Sequence, residues 1–281
     1  MAAADPLVVV DDLNIVYRVF GSRADRGTAA TAYLRILRRQ HRPSVREVHA
    51  IRGISFVANR GDAVGVIGRN GSGKSTLLRA IAGLLPPESG AVYTTGHASL
   101  LGVNAALLDD LTGERNVVVC GLAMGMTPRE VKERYQGIVD FSGVGDFINL
   151  PMNAYSTGMG SRLRFAIASA RSHDVLLIDE ALVTGDAEFR VKSRQRIEEL
   201  RAQAGTVFIV AHSMAQIEET CNRVIWLEKG KIVQAGDDVP GIIDSYIEAS
   251  GGRPVERDPV TRERVATRLP AKTVLSRGVT P

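Results

Sequence analysis

The chain has 281 residues, 44% apolar and 23% charged, enough for one large α/β domain or two small ones. No apolar stretch nears the roughly 18 uninterrupted residues of a membrane span, and the first residues lack a basic flank before an apolar run, so no signal peptide is expected. The net charge of +4 is concentrated: residues 18–46 hold eight arginines against one aspartate, and residues 251–281 seven cations against three acids, which argues for local contacts with an anionic surface rather than nucleic-acid binding.

Residues 8–17 and 51–57 read as strands, separated by the arginine-rich insert. Within it Tyr33, Ile36 and Leu37 fall on one helical face and Arg35, Arg38, Arg39 and Arg42 on the other. That arrangement fits a helix lying on anionic lipid and equally a solvated surface helix. Residues 63–68 are a short apolar run ending in Gly68-Arg-Asn-Gly71-Ser-Gly73-Lys74-Ser75-Thr76, and helical spacing follows (Leu77, Leu78, Ile81, Leu84, Leu85) until Pro86-Pro87 stops it. Strand, glycine-rich turn and helix in this order match the P-loop pattern. Its backbone N–H groups and the positive end of the helix suit phosphate. The expected nucleotide-binding segment is Gly68, Asn70, Gly71, Ser72, Gly73, Lys74, Ser75 and Thr76. Lys74 should reach the β- and γ-phosphates, and the Ser75 hydroxyl should ligate Mg²⁺.

Residues 105–171 read as mostly helical, with a capping box at Thr127-Pro128-Arg129-Glu130. Strand and helix then alternate: a buried strand at 175–179, a polar helix at 188–203 and a strand at 206–211. A helix capped by Ser213 comes next, then a strand pair at 223–227 and 231–233, and a last amphipathic helix at 239–249. After Gly251-Gly252 the composition turns polar and aperiodic, so residues 251–281 are expected to be a basic, disordered tail. Cys120 and Cys221 sit in apolar patterns at no metal spacing, and are expected as buried thiols of a reducing compartment.

The run Val175-Leu-Leu-Ile178-Asp179-Glu180 supplies the second half of a nucleotide site. The strand is expected beside the P-loop strand, delivering Asp179 to Mg²⁺, with Glu180 as general base for an attacking water. P-loop kinases need no such second carboxylate, so a nucleoside-triphosphate hydrolase is the better reading. His212 follows the strand at 206–211, at the end where ligands gather in parallel sheets, and is expected to contact the γ-phosphate.

Tyr155-Ser156-Thr157-Gly158-Met159 opens an apolar-periodic helix ahead of the acidic strand. It resembles the signature motif of ABC ATPases, normally Leu-Ser-Gly-Gly-Gln, through Ser156 and Gly158, and the order P-loop, signature, Asp-Glu strand, histidine is that family's. The resemblance implies a RecA-like core carrying an antiparallel β subdomain and an inserted helical subdomain (about 105–171) within a nucleotide-binding domain of residues 1–250. It implies ATP and Mg²⁺ as cofactors, and a homodimer in which Ser156 and Gly158 close over the ATP held by the other subunit. It also makes Tyr17 the adenine platform and Asp186 the dimer-crossing aspartate. Where the family has a Q-loop glutamine this chain has Gly102 or Val103, with Asn104 the nearest amide.

The departures form a pattern of their own. The Tyr-Ser-Thr-Gly-Met signature, Leu-Thr-Gly-Glu-Arg-Asn at 111–116, Gly-Asp-Ala-Glu-Phe at 185–189 and the basic insert together look like ATP-binding subunits of exporters for lipid-linked polysaccharides such as O-antigen, teichoic acid, capsule or galactan. That implies permease partners, a peripheral place on the cytoplasmic face of the inner membrane, and membrane contact through the permease, with segment 18–46 either adding a contact of its own or forming a solvated surface helix. The residues after Ser250 are too few for the carbohydrate-binding domain some members carry. An ABC ATPase serving another substrate, or a soluble one, is the alternative.

Overall fold

A computed structural model describes residues 5–21, 44–101, 107–179, 186–211 and 213–252. Glu180, His212, the stretch around Val103 and Asn104, most of the basic insert and the tail from residue 253 lie outside them.

The described residues are organised by two sheets. A three-stranded antiparallel sheet has the order β2-β1-β4, from β1 (Pro6–Gly21), β2 (Ser44–Asn59) and β4 (Ser89–Thr94). A six-stranded sheet has the order β5-β6-β7-β3-β8-β9. Its members are β3 (Ala63–Ile67), β5 (Ala98–Leu101), β6 (Val175–Asp179), β7 (Thr206–Val210), β8 (Arg223–Glu228) and β9 (Lys231–Gly236). All of its pairings are parallel except β8 with β9. Helices cover it: α1 (Lys74–Ile81), α5 (Ala187–Gln203), α6 (Met214–Thr220) and α7 (Val239–Ala249). Between β5 and β6 stand α2 (Gly113–Ala123), α3 (Pro128–Ser142) and α4 (Thr157–Ala168). This is the α/β P-loop architecture expected, with its antiparallel sheet and helical insertion.

Burial explains the reading of the strands. Every residue of β6 and β7 is buried, because parallel strands covered on both faces must be apolar throughout. Alternate residues of β6 serve two cores. Val175 and Leu177 join the core shared with α1 and the antiparallel sheet, whereas Leu176 and Ile178 join the one under α5 and α7. A third cluster, around Val117, Cys120, Ile138, Leu163 and Ile167, fills the helical insertion. Cys120 and Cys221 are both buried. The capping box forms as expected, Thr127 and Glu130 each accepting the other's backbone N–H.

Two expectations change. The acidic strand β6 is not beside the P-loop strand: β7 lies between, pairing through Ala63–Gly65 on one side and Val175–Asp179 on the other. Strand order follows from how crossover helices pack, which sequence periodicity does not encode. The first two strands also run further into the basic segment than their apolar residues suggested. Arg18 pairs with Glu47, and Val19 with Arg46, across the ladder. The Arg18 guanidinium also holds Glu47 at 3.3 Å and Glu88 at 2.6 Å, so it is engaged within the chain.

Candidate nucleotide site

The turn between β3 and α1 is shaped by backbone that side chains would obstruct. Gly68, Gly71 and Gly73 have φ of 146°, 79° and 110°, a region L-residues enter only with strain. A Cβ on Gly68 would run into the carbonyl oxygen of Leu227, and one on Gly73 would sit 2.7 Å from that of Ala50. Asn70 and Gly71 are exposed at the lip, whereas Ser72 is buried. The Ser72 carbonyl accepts from the Gly230 N–H at 3.0 Å, and its buried hydroxyl has no hydrogen-bond partner among the described residues. The loop is thus gripped from outside by β2 and by the β8–β9 turn.

Lys74 Nζ donates to the carbonyls of Gly68 (2.7 Å) and Arg69 (3.1 Å), which lays the ammonium across the loop. Burial pushes this lysine below its ordinary range, with Asp179 pulling the other way. Ser75 Oγ donates to Asp179 Oδ2 at 2.7 Å. The start of α1 therefore reaches across β7 to the end of β6, joining the two halves of the expected site. Asp179 is 5% exposed, and a carboxylate so buried requires a partner. The Tyr17 hydroxyl lies 3.4 Å from Thr76 Oγ1, which sets its ring at the start of α1.

The oxygens of Ser75 and Asp179 fit a hard divalent cation such as Mg²⁺, which takes few protein ligands and fills its sphere with phosphate and water. Among the described residues no group of three or more His, Cys, Asp or Glu is arranged to hold a metal. The cradle around Gly68 and Gly73, which a Cβ would fill, fits the phosphates of a ligand.

Ser156 caps α4, accepting from the Met159 N–H at 3.2 Å. Ser156, Thr157 and Gly158 are exposed, so the positive end of α4 opens outward. Tyr155, where the resemblance has leucine, donates its hydroxyl to the Phe147 carbonyl at 2.7 Å. Burial raises its pKa, with Tyr135 adding to the effect. A Cβ on Gly113 would strike that hydroxyl, so the signature tyrosine in this position requires the glycine of Leu-Thr-Gly-Glu-Arg-Asn. Asn116 of the same segment is fully buried. Its amide accepts from the Leu108 N–H at 2.7 Å and donates to the carbonyls of Leu108, Leu111 and Thr112. Asp186 caps α5, accepting from the Phe189 N–H at 2.8 Å, and pairs with Arg162 at 3.4 Å.

The sequence profile described as ABC transporter matches residues 51–183. A curated O-antigen export system ATP-binding protein, RfbB of Klebsiella pneumoniae, is 38% identical over 205 residues, 73% of this chain and 83% of that protein. This chain belongs to the ABC transporter family. A teichoic acids export ATP-binding protein, TagH of Bacillus anthracis, is 40% identical over 200 residues, 71% of this chain and 36% of that protein. The chain thus spans about a third of the length of some curated ABC relatives that it matches. A solved dimeric ATP-binding cassette in a post-hydrolysis state, bound to ADP and Pi, superposes with a TM-score of 0.60 at 20% identity, over 82% of this chain and 98% of that one. The ABC fold is shared where the sequences have diverged.

Sequence reasoning missed two features of this ABC site. Gly230 is legible only as the tip of a hairpin, since nothing local marks it as a neighbour of the P-loop. The fit of Gly113 to Tyr155 lay in two motifs read separately.

Proposed function

We propose that this chain is the ATP-hydrolysing subunit of an ABC exporter that moves a lipid-linked polysaccharide, working as a homodimer bound to permease subunits on the cytoplasmic face of the inner membrane. The observation that carries the reading is the 2.7 Å bond from Ser75 to Asp179, which unites the P-loop with the acidic strand. The relatives named for teichoic acid and O-antigen export support the substrate class. No described helix is long and apolar enough to cross a membrane, which suits a subunit that relies on a permease. The exposed apolar side chains of Val118, Val119 and Leu122 lie on one face of α2 and suit that contact.

In this reading the loop from Gly68 to Gly73 holds the β- and γ-phosphates through backbone N–H groups. Lys74 exchanges its two carbonyl acceptors for phosphate oxygens, Ser75 and Asp179 supply cation ligands, and Tyr17 stacks on adenine. Mg²⁺, held by Ser75 and Asp179, would offset the negative charge of the phosphates. Glu180 takes the proton of the attacking water and His212 orients the γ-phosphate. Ser156, Gly158 and the start of α4 meet the γ-phosphate of a second copy, because the N-terminus of α4 opens away from its own chain. The nucleotide-binding domain then comprises residues 1–250, with residues 251–281 a basic tail.

Glu180→Gln should bind ATP as the wild type does, abolish hydrolysis and trap an ATP-dependent dimer on size exclusion. In cells it should stop surface display of the polysaccharide while lipid-linked glycan accumulates inside. A monomeric, hydrolysing variant refutes the assignment of the base, and undiminished surface glycan refutes the substrate class.

A further inference from the structure

The C-terminal end of α4 is held by side chains from two other helices. Arg196, on α5, donates Nε (3.1 Å) and Nη2 (2.8 Å) to the carbonyl of Ser169. Arg134, on α3, donates Nη1 to the carbonyl of Ala170. The buried His173 sets Nε2 3.1 Å from the carbonyl of Ala168. Three consecutive residues at this end, which a helix by itself leaves unpaired, thus each find an external partner. Two of those partners are full positive charges at the negative pole of the helix. The opposite pole is the open Ser156 turn.

Arg196 belongs to α5, and residues 186–196 at the start of that helix meet residues 162–169 at the C-terminal half of α4. At the start Asp186 pairs with Arg162 of α4 at 3.4 Å. In the middle the ring of Phe189 stands edge-on to Phe165 of α4 at 5.8 Å and to Phe141 of α3 at 5.6 Å, while Phe141 and Phe165 stack at 5.9 Å. At the end comes the Arg196 bond pair. Three contacts spread over that stretch fix the axis of one helix on the other, where one contact would leave a pivot.

We propose that Arg196, backed by Arg134, is a positioning residue for the Ser156 turn: it fixes α4 to α5, so that the turn is presented to a partner's ATP in one orientation. The proposal rests on the reading above, in which Ser156 meets nucleotide in a second copy. The charge of Arg196 acts on phosphate only through α4. Its side chain keeps 28% of its exposure and also pairs with Glu199 at 2.8 Å. With Arg134 it lines a groove of about 430 Å³, so replacing it excavates no core.

The test uses the full chain with Arg196→Gln, Arg196→Lys and Arg134→Gln, each alone and with Glu180→Gln. ATP affinity is measured on dilute monomer, kcat and KM by phosphate release, and ATP-trapped dimer by size exclusion. Arg196→Gln should keep monomer ATP affinity within about twofold and lower kcat and dimer affinity on the order of tenfold, the scale of a lost charge-assisted hydrogen bond. Arg196→Lys, which keeps the charge and one donor, should recover much of the loss. Arg134→Gln, which removes a single bond, should show a smaller defect of the same kind even if Arg196→Gln does not fold. Wild-type dimerisation and turnover by Arg196→Gln would overturn the proposal. So would an Arg196→Gln or Arg134→Gln defect that tracks the folded fraction, with monomer ATP binding lost in step. If Glu180→Gln alone never dimerises with ATP, the functional reading falls and takes this one with it. If it dimerises and the double variant does so equally well, only the role of Arg196 is refuted.

Discussion

Gly230→Ala probes how the P-loop keeps its shape. Gly230 has φ +81°, where an alanine costs roughly 1–2 kcal/mol. Its new Cβ would sit 2.6 Å from the Ala50 carbonyl oxygen and 3.2 Å from the Ile51 Cα. Both are strand backbone and yield little, so overpacking adds about 1–3 kcal/mol. The sum, about 2–5 kcal/mol, is a large part of a typical domain's 5–15 kcal/mol but leaves a folded protein. Relief comes from moving the hairpin tip outward, and the Gly230 N–H carries the 3.0 Å bond to the Ser72 carbonyl. Losing that bond costs about 1 kcal/mol of loop order, which is roughly a fivefold rise in the ATP dissociation constant. The assay is an ATP titration beside a denaturant melt. Gly143→Ala is the control: φ is +61° with nothing within 4 Å of a Cβ, so it should lose stability through strain alone and bind ATP normally. If Gly230→Ala binds ATP as tightly as Gly143→Ala, the hairpin does not support the loop.

Gly113→Ala should destabilise by about 2 kcal/mol through its clash with the Tyr155 hydroxyl, and Tyr155→Phe in that background should restore part of it. A double-mutant cycle on denaturant melts with zero coupling would contradict the interlock. Burial pushes the Cys221 thiol up to about 11 from 9.0, against a smaller opposing effect of Thr220. The folded state therefore favours the protonated thiol; that stabilisation is complete below about pH 9 and is lost as pH rises through about 11. Cys221 should resist iodoacetamide at pH 8 until the chain is unfolded, and rapid labelling of native protein would refute its burial.

The sequence by itself determined whatever is written within a few residues. The P-loop, the Thr127–Glu130 box, the helix starts at Ser156 and Ser213, and the fully apolar β6 and β7 all follow from backbone rules acting over one turn or one strand. Parallel strands buried on both faces leave an unbroken apolar run, and a phosphate cradle demands glycines at fixed spacing. The Asp179 end of β6 was legible for the same reason. What only the tertiary structure decided is which distant backbone each local feature meets. It put β7 between β6 and β3, set the Leu227 carbonyl and Gly230 against the P-loop, left Gly113 just enough room for Tyr155, and brought Arg196 onto the Ser169 carbonyl. Each of these is a close approach between segments far apart in the chain. Hydrophobic pattern fixes that such segments are buried, but the packing of whole helices on the sheet fixes which atoms touch.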